Sequence, residues 1–253
     1  MSYIQLCNDY YIKTLSNVSP YVFFPISILI YRGYYIFIHK VLQLFPKYQT
    51  YDTNRHYYII FNISKSSMLM WITYSIFLGL NRQLLTFSSI DWSQQRLYKN
   101  ITALYAITDI APLFINRNKM MTSTIIHHLC VAFAYISIVQ SDLSQVGLSN
   151  AIIVYGLFSS MAFIVNFYLG FRYVITSKTA IRYLKKCAFI NYICACSYNW
   201  SVQTLYLLTF VRSLYLNNFT KLNIHNISYI SIYVSFLYFW ISDDIILMKH
   251  LLK

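Results

Sequence analysis

The chain has 253 residues, of which 58% are hydrophobic, 19% aromatic and only 11% charged, with a mean hydropathy of +0.48. That balance excludes an ordinary soluble domain and points to an all-α fold, a polytopic transmembrane helix bundle. Twenty Lys and Arg face seven acidic residues, all Asp, for a net charge of +13. The basic residues fall between apolar blocks and form no single basic face, so they read as topology signals rather than as a nucleic-acid surface.

In chain order, the first nineteen residues (MSYIQLCNDYYIKTLSNVS) are mixed and polar and contain no cleavable signal peptide. The first apolar block then has to serve as the insertion signal. A crossing of the hydrocarbon takes about 20 mostly apolar residues, and about seven windows qualify: 20–45, 57–80, 98–116, 121–140, 145–171, 186–211 and 227–250. Pro25, Arg32 and His39 interrupt the first, which predicts a tilted or kinked span. The connections around Asn116–Met120 and Ser141–Ser144 are short enough to make spans three and four, and four and five, antiparallel hairpins. No internal repeat or linker divides the chain.

Basic residues are retained on the cytosolic side during insertion. Lys40, Lys47, Arg55, Arg117, Lys119, Arg172, Lys178, Arg182, Lys185, Lys186, Lys249 and Lys253 fall on one side, against Lys13, Arg82, Arg96, Lys99, Arg212 and Lys221 on the other. This places the carboxyl terminus in the cytosol. The N-x-S/T sequons at Asn17, Asn100, Asn218 and Asn226 all fall on the opposite, lumenal side. Cys7, Cys130, Cys187, Cys194 and Cys196 show neither a disulfide framework nor zinc-site spacing, and read as packing residues.

Ionisable groups inside apolar segments are costly and mark pathways, relays or sites. His127 and His128 lie in TSTIIHHLCVAFAYISIV, and Asp109 in the block before it. At a rise of about 1.5 Å per residue, Asp109 and His127 each sit about 12 Å inward from the basic ends of their spans, and so lie level. The same count brings Asn166, Asp243 and Asp244 to about 8–9 Å of depth, with Asn191 and Cys194 comparable. Such a layer is what a cavity opening to the cytosol leaves in a sequence. Interhelical hydrogen bonding alone accounts equally well for Asn166, Asn191, Ser159 and Ser160. Asp243 and Asp244 have Arg32 or Lys65 as candidate partners. Since helical neighbours diverge by about 100°, His127 and His128 cannot both point the same way.

Chemically, His127 and His128 with Asp109 suit a base with an orienting carboxylate, or a nucleophile that forms an acyl-imidazole. A metal role is disfavoured on motif grounds, because HExxH is absent, the chain has no Glu, and six His in total with one adjacent pair fall short of a di-iron pattern.

The run Tyr105-Ala106-Ile107-Thr108-Asp109, a short basic loop, and Thr124-Ile125-Ile126-His127-His128 leading into an apolar helix resemble the TLC domain, the membrane domain shared by ceramide synthases and related lipid-handling proteins. Trp71, Ser159 and Asn166, the Phe210-Val211-Arg212 end of span six, and Trp240 before Lys249 follow in the family's order. The resemblance covers roughly 51–253, leaving 1–50 as a lumenal N-terminal segment and first span. Ceramide synthases carry further acidic residues after the His pair, whereas Leu129–Ser149 offers only Asp142, so the chain looks closer to the smaller TLC-domain proteins.

The resemblance implies a protein of lipid metabolism or homeostasis, in the endoplasmic reticulum or a host membrane. Its cavity would bind an acyl or sphingoid lipid through Tyr105, Ser159, Asn166, Asp243 and Asp244. It needs no cofactor, and membrane lipids are its partners. One alternative is an acyl-CoA-dependent acyltransferase with His127, His128 and Asp109 as catalytic residues, acyl-CoA as co-substrate, and the basic Arg172–Lys186 loop available to CoA phosphates. A seven-span receptor is the third reading. The richness in Asn, Ile, Tyr and Lys points to an AT-rich genome, such as that of a protist or a large DNA virus.

Overall fold

The computed structural model describes residues 10, 12–79, 92–115, 120, 122–143, 148–216 and 224–252. Every regular element among them is helical: α1 Pro20–Leu42, α2 Pro46–Gln49, α3 Thr53–Gly79, α4 Trp92–Ile115, α5 Thr122–Gln140, α6 Leu148–Ser159, a 3-10 turn Ser160–Ala162, α7 Phe163–Phe171, α8 Lys178–Leu216 and α9 Ile224–Leu252. The expected all-α bundle is present. Four segments are long and apolar enough to cross a membrane: Pro20–Leu42, Thr122–Gln140, Ser149–Phe171 and Ile230–Leu252.

Local chemistry sets several helix ends. α1 and α2 begin with Pro20 and Pro46 in the first turn, where the missing N–H costs nothing. His39 and Lys40 occupy the last turn of α1, opposite the negative end of its dipole. Asp52 caps α3 by accepting the Arg55 N–H at 2.7 Å, and Ser177 caps α8 by accepting the Ala180 N–H at 3.2 Å. The helix α8 therefore starts at Lys178, so the expected basic loop from Arg172 to Lys186 is corrected: its second half is helix. The span expected over 145–171 is present as one membrane-length segment, Ser149–Phe171, with a 3-10 turn at Ser160–Ala162 within it. The interrupted first window, by contrast, is one helix with Pro25 inside it.

Packing proceeds around the bundle as α3, α4, α5, α9, α8 and α7, and α7 returns to α3; α1 lies against α3 and α4, and α6 touches α3, α4, α5, α8 and α9. The α4–α5 pair is an antiparallel hairpin: Lys99 Nζ near the start of α4 donates to the carbonyls of Val139 and Ser141 at 3.0 and 2.7 Å, and Gln95 Nε2 donates to Asp142 at 2.9 Å. The end of α5 meets the start of α6 through Ser141 and Ser149, with 2.7 Å between their hydroxyls. Asn100 is buried and donates to Leu15 and Val18 carbonyls, so this sequon is sealed in the core. Asn218 lies outside the described residues.

Large apolar side chains cover the outside. Tyr21, Leu29 and Phe37 on α1, Phe133 and Ile136 on α5, Leu205 and Leu208 on α8, and Tyr238 and Ile246 on α9 are all exposed. An outer surface of this kind has to be covered by something other than water. Near the end carrying α2, Tyr48 is fully buried, stacks on His56 at 4.2 Å and hydrogen-bonds His39 Nδ1 at 2.8 Å. Burial pushes its phenol up to about 12, so it stays neutral there.

α7 comes close to α3 at Gly170, where a Cβ would fall 2.6 Å from Ile63 Cγ1 and 3.2 Å from the Ile59 carbonyl oxygen. Gly170→Ala is predicted to cost about 1–3 kcal/mol through overpacking and to lower the unfolding temperature in detergent. Gly156→Ala, whose Cβ would meet nothing closer than 3.9 Å, should leave it unchanged.

Candidate functional site

Asp109 is completely buried on the face of α4 that meets α3 and α5. Its Oδ1 accepts from Lys65 Nζ of α3, and His128 Nδ1 of α5 lies 2.9 Å from the same oxygen. One carboxylate thereby joins three helices. Sequence reasoning paired Lys65 with Asp243 or Asp244; Lys65 instead belongs to Asp109, and Arg32 is exposed on α1.

The two histidines diverge as helical geometry requires, with ring centroids 5.5 Å apart and planes at 85°. His128 turns to Asp109, while His127 Nδ1 lies 3.3 Å from Asp243 Oδ2 of α9. Asp244, the next residue, is held separately. Tyr192 donates to its Oδ1 at 2.6 Å, and Tyr155 and Trp200 each donate to its Oδ2 at 3.2 Å. Both oxygens accept, as an ionised carboxylate does. From Tyr155 the network runs on: Asn199 donates to the Tyr155 carbonyl at 3.2 Å and to Ser159 Oγ at 3.0 Å, Gln203 donates to Asn199, and Tyr233 donates to Gln203.

These groups surround a chamber of about 100 Å³, lined by Lys65, Tyr105, His127, Tyr155, Ser159, Asn166, Tyr192, Cys196, Asn199, Asp243 and Asp244 together with small and apolar residues. Asp243, with a quarter of its side chain exposed, stands toward the open side. Tyr105, His127 and Tyr155 also line a narrow apolar slot of about 20 Å³, whose other walls include Val131, Ala134, Ile138, Ile152, Gly156 and Trp240. Trp240 stacks on Tyr155 at 4.4 Å and forms its side wall. Polar chamber and apolar slot therefore share three side chains.

All eight residues singled out from the sequence belong to this neighbourhood. Tyr105, His127, Ser159, Asn166, Asp243 and Asp244 line the chamber itself, while Asp109 and His128 stand behind His127. Cys194 does not belong to it: it is exposed on the outer face of α8. Cys196, Tyr192 and Asn199 face inward instead. Their spacing, 192, 196 and 199, continued by the buried Gln203, is that of one helix face, a signal available in the sequence that depth counting did not use. Among the described residues, Cys130, Cys187, Cys194 and Cys196 form no disulfide.

No protein-family model matches the chain, and neither characterised proteins nor solved structures give a match. The assignment of function therefore rests on the site.

Removing one partner of a buried ion pair leaves an uncompensated charge, at a cost of about 3–5 kcal/mol. Lys65→Met is accordingly predicted to lower thermal stability in detergent sharply, and a second change, Asp109→Asn, to recover most of the loss. Equal and additive losses in the two single variants and the double variant would show that the groups do not interact.

Proposed function

We propose that the chain is a seven-span membrane protein that holds an acyl lipid with its polar head in the chamber and its tail entering the apolar slot. The observation that carries this reading is that the polar chamber and the apolar slot lie on either side of the same three residues, Tyr105, His127 and Tyr155. A polar group and a hydrocarbon chain of one ligand are each matched by chemistry on either side of those residues.

Three further helices complete the seven spans. α3, α4 and α8 contain 27, 24 and 39 residues, about 40, 36 and 58 Å of helix against about 30 Å of hydrocarbon. Their low apolarity comes from groups directed inward: Lys65 and Asp109 engage each other, and Ser66, Thr73, Asn199 and Gln203 are buried. Outward, they present Met70, Phe114, Leu205 and Leu208. Polar residues facing the interior of a bundle are the rule in membranes. α8 exceeds one crossing, and its first turns carry Arg182, Lys185 and Lys186, which fits an extension into the cytosol with the carboxyl terminus on that side. The order of Asp109, the His pair, Ser159 and Asn166 supports kinship with the smaller TLC-domain proteins, and with it lipid homeostasis in the endoplasmic reticulum or a host membrane.

The test is lipid extraction and mass spectrometry on purified protein. A co-purifying acyl lipid is expected at about one per chain, and Gly156→Leu, which fills the slot, should reduce it several-fold without loss of folding. Lipid content indistinguishable from that of an unrelated bundle in the same detergent would contradict the reading.

One observation favours a second reading, acyl transfer from acyl-CoA to an amine or hydroxyl lipid. His127 faces the chamber beside Asp243, placed to take a proton from a bound nucleophile. In that case labelled acyl-CoA yields an acylated lipid, and His127→Ala abolishes product while bound lipid persists.

A further inference from the structure

Asp109, His127 and His128 each present one ligating atom, and these atoms lie within 4.8 Å of one another. Three atoms in this cluster have no hydrogen bond: Asp109 Oδ2, His127 Nδ1 and His128 Nδ1, all buried. Asp109 is completely enclosed and His128 is only 7% exposed, so water outside the bundle does not satisfy them. An unsatisfied buried atom costs about 1–3 kcal/mol; Asp109 Oδ2 is bare, and the His128 and His127 nitrogens lie against carboxylates at 2.9 and 3.3 Å without a hydrogen bond, so one shared partner would satisfy all three. The hydrogen-bonded carboxylate of Asp244 beside them shows that the fold can satisfy an acid here when protein donors suffice.

Charge points the same way. The chamber wall and the cluster behind it bring together three carboxylates, Asp243 and Asp244 in the wall and Asp109 behind His127, and one Lys, Lys65. With neutral imidazoles the group carries two net negative charges, and a divalent cation brings it to zero. Lys65 does not occupy the vacant valence, because it engages Asp109 Oδ1 and leaves Oδ2 bare.

We propose that Asp109, His127 and His128 form a mononuclear site for a divalent first-row transition ion of the zinc class. Two imidazole nitrogens and one carboxylate oxygen are a ligand set such ions take at bond lengths of about 2.0–2.2 Å. Lys65 holds and neutralises the other oxygen of Asp109, the support that a ligating carboxylate needs from its surroundings. Because His127 lines the chamber beside Asp243, a water or a ligand oxygen from the chamber would complete the shell. The site does not depend on the chamber's holding lipid.

The experiment uses the full chain in detergent, stripped with a chelator and titrated with Co²⁺ and with Zn²⁺. One Co²⁺ per chain is expected, with visible d–d absorption that Zn²⁺ displaces. Asp109→Asn and His128→Gln should each weaken binding about tenfold or more, whereas Cys194→Ser, on the outer face of α8 and away from the site, should retain it. X-ray absorption of the zinc-loaded unaltered chain provides a readout that needs no variant: scattering from two imidazoles is expected. Failure of the unaltered chain to bind either ion stoichiometrically, full binding in both ligand variants, or a shell without imidazole would overturn the site. Because lipid is measured separately, loss of the metal proposal leaves the lipid reading standing, and the reverse also holds.

Discussion

A charged carboxylate with no water to solvate it organises this bundle. Asp109 is sealed among α3, α4 and α5, and a group in that position persists only if neighbours supply the charge and hydrogen bonds that solvent would have given. Lys65 supplies the charge, and His128 closes the third side. The phases of three helices are fixed by the demand that Lys65, Asp109 and His128 meet. Once they do, His127 can only face α9, where it finds Asp243, and Asp244 turns toward α6 and α8, where Tyr155, Tyr192 and Trp200 receive it. The chamber is the space these pairings enclose.

The break in the fifth apolar segment is part of the same arrangement. At Ser160–Ala162 the helix tightens into a 3-10 turn, a form common at functional positions inside helices. Ser160 hydrogen-bonds Thr73 of α3 at 2.9 Å, and Ser159 receives Asn199 of α8. The two sides of α6 are thus pinned to different helices. Beyond the break, α7 runs close against α3 with Gly170 as the contact point. Close approach there brings Lys65 of α3 and Asn166 of α7 onto one chamber wall.

Much of this was legible from the residues, and the misses have one cause. Apolar windows overlap each long helix among the described residues, four of which are long and apolar enough to cross a membrane, and depth counting brings Asp109 and His127 together because rise per residue is constant. Rotation about the helix axis is not fixed by depth. Cys194 and Cys196 differ by three ångströms of rise and by more than half a turn, so counting chose the outward residue. Lys65 was similarly assigned to the acids of the last helix, since a sequence carries no record of which helices are neighbours. The start of α8 at Lys178 was missed because its first turns are basic, and hydropathy sees only the part that is apolar. Nothing in a linear pattern announces that Tyr105, His127 and Tyr155 divide a polar space from an apolar one; that is a property of the packed bundle.

The proposed membrane arrangement turns the polar layer to an enclosed chamber and the apolar exterior to lipid. Single cysteines in a background lacking the five native ones, probed with a membrane-impermeant methanethiosulfonate in sealed vesicles, test it most directly. Asn166→Cys and Leu247→Cys, in the chamber wall, should react from one side of the membrane only, and Phe133→Cys, Leu208→Cys and Tyr238→Cys, on the outer surface, should stay unmodified. Reaction of the outer positions as fast as the chamber positions, or of the chamber positions from neither side, would contradict the account.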